Sequence, residues 1–203
     1  MKNKVFIKIC GLRDHFVARE AALLGADFIG LVFHPASKRY VSLTEAKAIC
    51  TALIDTPAKP VAIFTEHSVK EMQAICEECA IDTLQLHGTR SRAEHAALPS
   101  QYQRIYVSSL SEANTIPPAC DPMRDYLLFD SDIPGSGIAF DWNTFQYTGP
   151  FRLFLAGGLN PLNVRTAIQK CRPAGIDVSS GVESASGKKE LSLIQQLIQE
   201  IQS

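Results

Sequence analysis

The chain has 203 residues, with 20 Lys and Arg against 21 Asp and Glu for a formal net charge of −1, and is 46% hydrophobic and 20% charged. That balance gives no composition argument for a nucleic-acid partner, and the apolar content excludes disorder, collagen and coiled coil. Its longest apolar runs, such as residues 28–33, fall far short of the roughly 20 residues a membrane-spanning helix needs, so no membrane partner is expected.

At the N-terminus Lys8 splits the apolar run of residues 1–10 and no small-residue cleavage site follows, so the segment reads as mature sequence. A first strand is placed at 5–9, followed by a helix at 16–24, a strand at 28–33, a helix at 43–54 and a strand at 60–64. The helical spacing of 69–79 contains Cys76 and Cys79, a CxxC with no second ligand pair, so both are read as helix packing rather than a metal or redox site. Next come a strand at 83–86, a helix at 92–98 and a strand at 104–107. Between 108 and 124, Pro117, Pro118 and Pro122 break any long helix, so the fifth helix is expected to be short or irregular. Strands at 126–129, 152–155 and 175–178, with helices at 163–170 and 191–201, complete the series. The six cysteines, at 10, 50, 76, 79, 120 and 171, are too irregular for a disulfide scaffold and fit a reducing cytoplasm.

Strands thus alternate with helices, and several, FIGLVF above all, are apolar on both faces, as in a parallel sheet covered by helices. An open doubly wound sheet and a closed barrel compete. Eight strands favour closure, and about 25 residues per unit is close to what a short strand, a three-turn helix and two short loops require. The expected fold is α/β, a single compact (β/α)8 barrel domain over residues 1–203. Polar residues collect after the strand ends, where such a barrel carries its active site: Cys10 and Gly11, HPASKRY, Gln85 to Gly88, Asp130, Gly157 and Gly158, and Ser179 to Gly181.

Six strings, KICGLRD, GADFIGLVFHPASKRYV, LQLHG, LLFD, LAGGLNPLNV and GIDVSSGVESASGKKE, occur in order from residue 8 to residue 190. Together they resemble the phosphoribosylanthranilate isomerase family of tryptophan biosynthesis. The resemblance implies an Amadori rearrangement of N-(5-phosphoribosyl)anthranilate to 1-(2-carboxyphenylamino)-1-deoxyribulose 5-phosphate, a small-molecule substrate, and no metal or organic cofactor. Two departures stand out. The family's Gly-Lys-Asp is matched by Gly187, Lys188, Lys189 and Glu190, with Glu190 expected to open the last helix, and the loop SDIPGSG is shorter than the family's.

By resemblance, Cys10 is the general base, Asp130 the general acid and Arg39 the partner of the anthranilate carboxylate. Read without the family, Cys10 is a small buried strand residue and Asp130 a loop cap, with Asp132 its nearest rival. Lys8 shares a strand face with Cys10, where it either stabilises a thiolate or pairs with a barrel carboxylate. A guanidinium suits a carboxylate because its planar fork meets two oxygens, whereas Lys38 is read as solvated. Gly157, Gly158, Ser180 and Gly181 follow strands seven and eight, the usual phosphate place of this barrel, with a short helix expected after Gly181. Gln85 and His87, two apart on one strand face, are candidate pocket residues, Asp177 is undecided, and Trp142 and Phe140 are read as packing. The competing functions are an indole-glycerol-phosphate synthase-like lyase, needing Lys and Glu at strand ends, a metal-dependent epimerase, needing paired His and Asp, and a non-catalytic sugar-phosphate-binding barrel.

Overall fold

The computed structural model describes residues 4–108, 117, 119–130, 142 and 145–203. Eight parallel strands close on themselves in chain order: β1 (Phe6–Cys10), β2 (Phe28–Val32), β3 (Lys59–Phe64), β4 (Thr83–Leu86), β5 (Gln103–Ser108), β6 (Tyr126–Phe129), β7 (Arg152–Leu155) and β8 (Gly175–Val178). The closing pair sets Phe6 against Gly175 and Lys8 against Asp177. Around them, among the described residues, lie α1 (His15–Leu24), α2 (Leu43–Leu53), α3 (Val69–Cys79), α4 (Thr89–Glu94), α5 (Val164–Cys171) and α6 (Leu191–Gln202). No helix among the described residues is long and apolar enough to cross a membrane.

Both faces of the strands are buried, which is why they read as continuous apolar runs. Outward side chains such as Ile9, Leu31, Phe64 and Leu86 pack with Ala18, Ile49, Met72 and Leu197 of the helices in the larger core. Inward side chains form layers. At the N-terminal end, Phe28, Tyr126 and Phe154 meet edge to face with centroids 5.0–6.0 Å apart, and Phe6 packs against all three. That apolar plug seals one end and leaves chemistry to the other.

Helix starts follow their caps. Asp14 Oδ1 accepts from the backbone N–H of Phe16 and Val17, and Ser42 with Glu45 and Ser68 with Glu71 each complete a reciprocal capping box. Cys76 and Cys79 are buried on α3, as helix packing requires. The helix expected at 92–98 instead runs from Thr89 to Glu94 and tightens to a 3-10 turn at His95–Ala97. Pro99 accounts for the stop, since it drives Leu98 to an extended conformation. Cys10 is the last residue of β1, one beyond the expected end, and pairs with Gly30 of β2. Most of the expected irregular fifth helix, together with Asp132, Phe140 and the loop SDIPGSG, lies outside the described residues. Trp142 packs against the larger core.

Candidate active site

Strand alternation points Cys10 of β1, Gln85 of β4 and Asp177 of β8 inward, and His87, Asp130 and Ser179 follow on β4, β6 and β8. These residues line one cavity of about 370 Å3 at the C-terminal mouth, together with Arg39, Gly157, Gly158 and Ser180. Sequence positions from 10 to 180 thus converge at the place where this fold carries its reactive groups.

Beneath Cys10, Lys8 is fully buried and its Nζ donates to Asp177 Oδ1 at 2.8 Å. Of the two sequence readings of Lys8, the structure shows the pairing with a barrel carboxylate, and its charge also acts on the neighbouring Cys10. Burial pulls the Lys8 ammonium down, but Asp177 and Cys10 outweigh it and hold the group above its ordinary value. Burial pushes the Cys10 thiol up, and Asp177 adds to this, while Lys8, Lys189 and Arg39 work in the opposite direction. A pair this deep costs desolvation that its attraction barely repays, so Lys8 and Asp177 contribute more to the field at the sulfur than to stability.

The Arg39 guanidinium is already engaged. Its Nε and Nη2 donate to Glu183 Oε1 and Oε2 at 2.6 and 3.0 Å, and Lys189 Nζ donates to the same Oε1 at 2.6 Å. Lys38, mostly exposed as expected, stands 3.6 Å from Glu183. Gln85 Oε1 is buried without a hydrogen-bond partner among the described residues, on a side chain that lines the cavity. His87 beside it is kept neutral by burial, which lowers its pKa.

Two backbone turns face the same cavity. Gly157 and Gly158, at φ 89° and 62°, follow β7. A helix was expected after Gly181, but the 3-10 turn Ser180–Val182 contains it. The reason is contact with the neighbouring unit: a Cβ on Gly181 would stand 1.9 Å from the Leu159 carbonyl oxygen, so only glycine lets the two loops meet. Glu190 precedes α6 as expected, without a side-chain cap.

Sequence reasoning passed over four residues here. Glu183 and Lys189 lie within the quoted SGVESASGKKE string, where charged loop residues carry no period to mark them. His34 Nδ1 and Thr65 Oγ1, 3.1 Å apart, both line the cavity, and Thr65 was legible as the residue directly after β3. The lyase alternative called for Lys and Glu at strand ends, whereas the strand ends carry Cys10 and Asp130, and Lys189 and Glu183 pair with each other in the loop beyond β8.

A thiol, a carboxyl group and a guanidinium lining one cavity at the C-terminal mouth of a closed barrel define a (β/α)8-barrel protein with the polar site of an enzyme. Comparison with known proteins narrows this. The family model for N-(5′-phosphoribosyl)anthranilate (PRA) isomerase matches residues 7–200. A Chlamydia felis protein named N-(5′-phosphoribosyl)anthranilate isomerase is 37% identical over 195 residues, 95% of each chain. The phosphoribosyl anthranilate isomerase structure from Thermotoga maritima superposes with a TM-score of 0.84 at 31% identity, covering 98% of this chain and 99% of that one. Another structure of the enzyme, in complex with reduced 1-(o-carboxyphenylamino)-1-deoxyribulose 5-phosphate, gives a TM-score of 0.79 at 29% identity, with 98% and 99% coverage. The chain belongs to the phosphoribosylanthranilate isomerase family, the aldose–ketose isomerases of tryptophan biosynthesis.

Proposed function

We propose that this chain performs the family's Amadori rearrangement with Cys10 as base and Asp130 as acid. The carrying observation is that β1 and β6, three strands apart around the closed barrel, bring these two residues to one cavity. Asp130 donates its proton to the ribose ring oxygen as the C1′–O bond breaks and the nitrogen lone pair forms an iminium. Cys10, as thiolate, takes the proton from C2′, and the electron pair left behind neutralises the iminium to an enolamine. Proton return at C1′, with loss of the C2′ hydroxyl proton, gives the ketose. Lys8, Lys189 and Arg39 favour the thiolate at the moment it is needed, against the burial that keeps the resting thiol protonated.

Arg39 receives the anthranilate carboxylate, and the amides around Gly157, Gly158, Ser180 and Gly181 receive the phosphate. Gln85 offers its unpaired oxygen as an acceptor to the substrate, with His87 beside it. The six free cysteines support a reducing, cytoplasmic setting. The test is the decay of phosphoribosylanthranilate fluorescence on adding protein to freshly made substrate, with and without chelator. Decay at equal rates in both supports cofactor-free isomerisation, and no decay in either overturns the reading. Arg39→Ala is expected to raise KM by about 10- to 100-fold, the worth of a charge-assisted hydrogen-bonded pair.

A further inference from the structure

The proposed chemistry leaves one ionised carboxylate unused. Glu183, in the loop after β8, has a side chain only 4% exposed, yet it gathers Arg39, Lys189 and Lys38. Burial alone would raise its carboxyl, but the hydrogen bonds from Arg39 and Lys189 overcome that and hold it down at about 2.

A guanidinium presents two planar forks, one of Nε with Nη2 and one of Nη1 with Nη2. Glu183 takes the first, at 2.6 and 3.0 Å, and among the described residues Nη1 carries no hydrogen bond and Nη2 only the one to Glu183, which leaves the outer N–H of each open on a side chain that lines the cavity. The arginine is held elsewhere too. Its backbone N–H donates to Ser37 Oγ at 3.1 Å, and a Cβ on Gly11 (φ +76°) would stand 2.4 Å from Arg39 Cδ, so the stem lies directly against the end of β1. Glu183 is anchored in turn. Lys189 Nζ holds it at 2.6 Å and also donates to the Ser179 carbonyl at 2.9 Å, while Ser179 Oγ donates to the Cys10 carbonyl at 3.2 Å.

We infer that Glu183, braced by Lys189, is the positioning residue that fixes the Nε edge of Arg39 so that its free Nη1–Nη2 fork meets the substrate carboxylate. The inference rests on the reading of Arg39 as carboxylate receptor. Three cations around one carboxylate also leave surplus positive charge at this side of the mouth, which favours an arriving anion. A carboxamide at 183 would offer one acceptor instead of two, releasing the guanidinium from its plane.

The experiment titrates the protein and its Arg39→Ala, Glu183→Gln and Glu183→Asp variants with two ligands. One is reduced 1-(o-carboxyphenylamino)-1-deoxyribulose 5-phosphate, and the other is its phenylamino counterpart without the carboxylate. Arg39→Ala should abolish the preference for the carboxylated ligand. Glu183→Gln should cut that preference about tenfold with little change for the other ligand, and its KM should rise by more than its kcat falls. Glu183→Asp, still anionic, should recover part of the preference. Full preference in Glu183→Gln beside its loss in Arg39→Ala overturns the role of Glu183 and leaves that of Arg39 standing, whereas full preference in Arg39→Ala overturns both. Equal weakening of both ligands, or failure of both Glu183 variants to fold, assigns Glu183 to the framework and overturns the inference.

Discussion

Cys10 occupies a setting that opposes the charge its proposed role requires, because burial pushes the thiol up while three cations pull it down. A sulfur held neutral at rest and turned anionic only once substrate is bound avoids wasteful oxidation of a standing thiolate. Cys10→Ala should therefore lose nearly all turnover while keeping the fold and binding of the product analogue, measured by stopped assay and by calorimetry. Asp130→Asn keeps size and most hydrogen bonding but cannot deliver the proton, and a turnover loss of about 10²- to 10⁴-fold is expected, with Asp132→Asn mild by comparison. The reverse order would place the acid two residues further along. At this scale the sequence was informative: KICG and LLFD mark residues at strand ends, where alternation and topology together put them in the mouth. It placed Lys8 on the Cys10 face but did not name its partner, because Asp177 lies 169 positions away.

Among the elements, the β7 and β8 loops show how two turns are brought against each other. Glycine pairs after strands were visible in the sequence, yet the reason for Gly181 was not, since the contact that demands it comes from Leu159 in the preceding unit. Gly181→Ala must push the loops apart, and overpacking of this kind costs about 1–3 kcal/mol. The expected outcome is a lower thermal midpoint together with a KM that rises more than kcat falls, because the phosphate amides lose register. An unchanged KM would remove the turn from phosphate binding. Helix α4 teaches the converse lesson. Its apolar spacing suggested residues 92–98, but backbone capping at Gly88 and the restriction before Pro99 moved both ends towards the N-terminus.

For the molecule as a whole, two buried groups set the acid limit. His95, 1% exposed with neither ring nitrogen hydrogen-bonded among the described residues, is lowered by burial from 6.5 to about 4. Between those values the unfolded chain binds a proton that the folded chain refuses, so stability falls as pH drops from 6.5 towards 4. Glu183, lowered from 4.5 to about 2, is ionised and paired when folded, and its contribution disappears as pH drops from 4.5 towards 2. Each is expected to contribute on the order of 1–3 kcal/mol. Lys8, raised from 10.5, adds a dependence at the opposite limit, the small net stabilisation its pair leaves being lost as pH rises beyond that value. Urea unfolding at pH 7.5, 5.5, 4.5 and 3 checks the acid side, and His95→Leu should flatten the decline between 6.5 and 4 while leaving the lower one intact.

The sequence by itself determined the alternation of eight apolar strands with amphipathic helices, and with it the barrel and the end at which Cys10, Asp130 and Arg39 meet. Those are local periodicities and short strings, readable because each element buries a face whose spacing is written along the chain. Only the tertiary structure decided what those residues touch. Closing β1 against β8 sets Lys8 beside Asp177, and folding the last loop over the mouth hands Glu183 to Arg39 and Lys189. Charged loop residues have no period and no fixed partner distance, so their pairing follows from the geometry of closure rather than from any pattern in the chain.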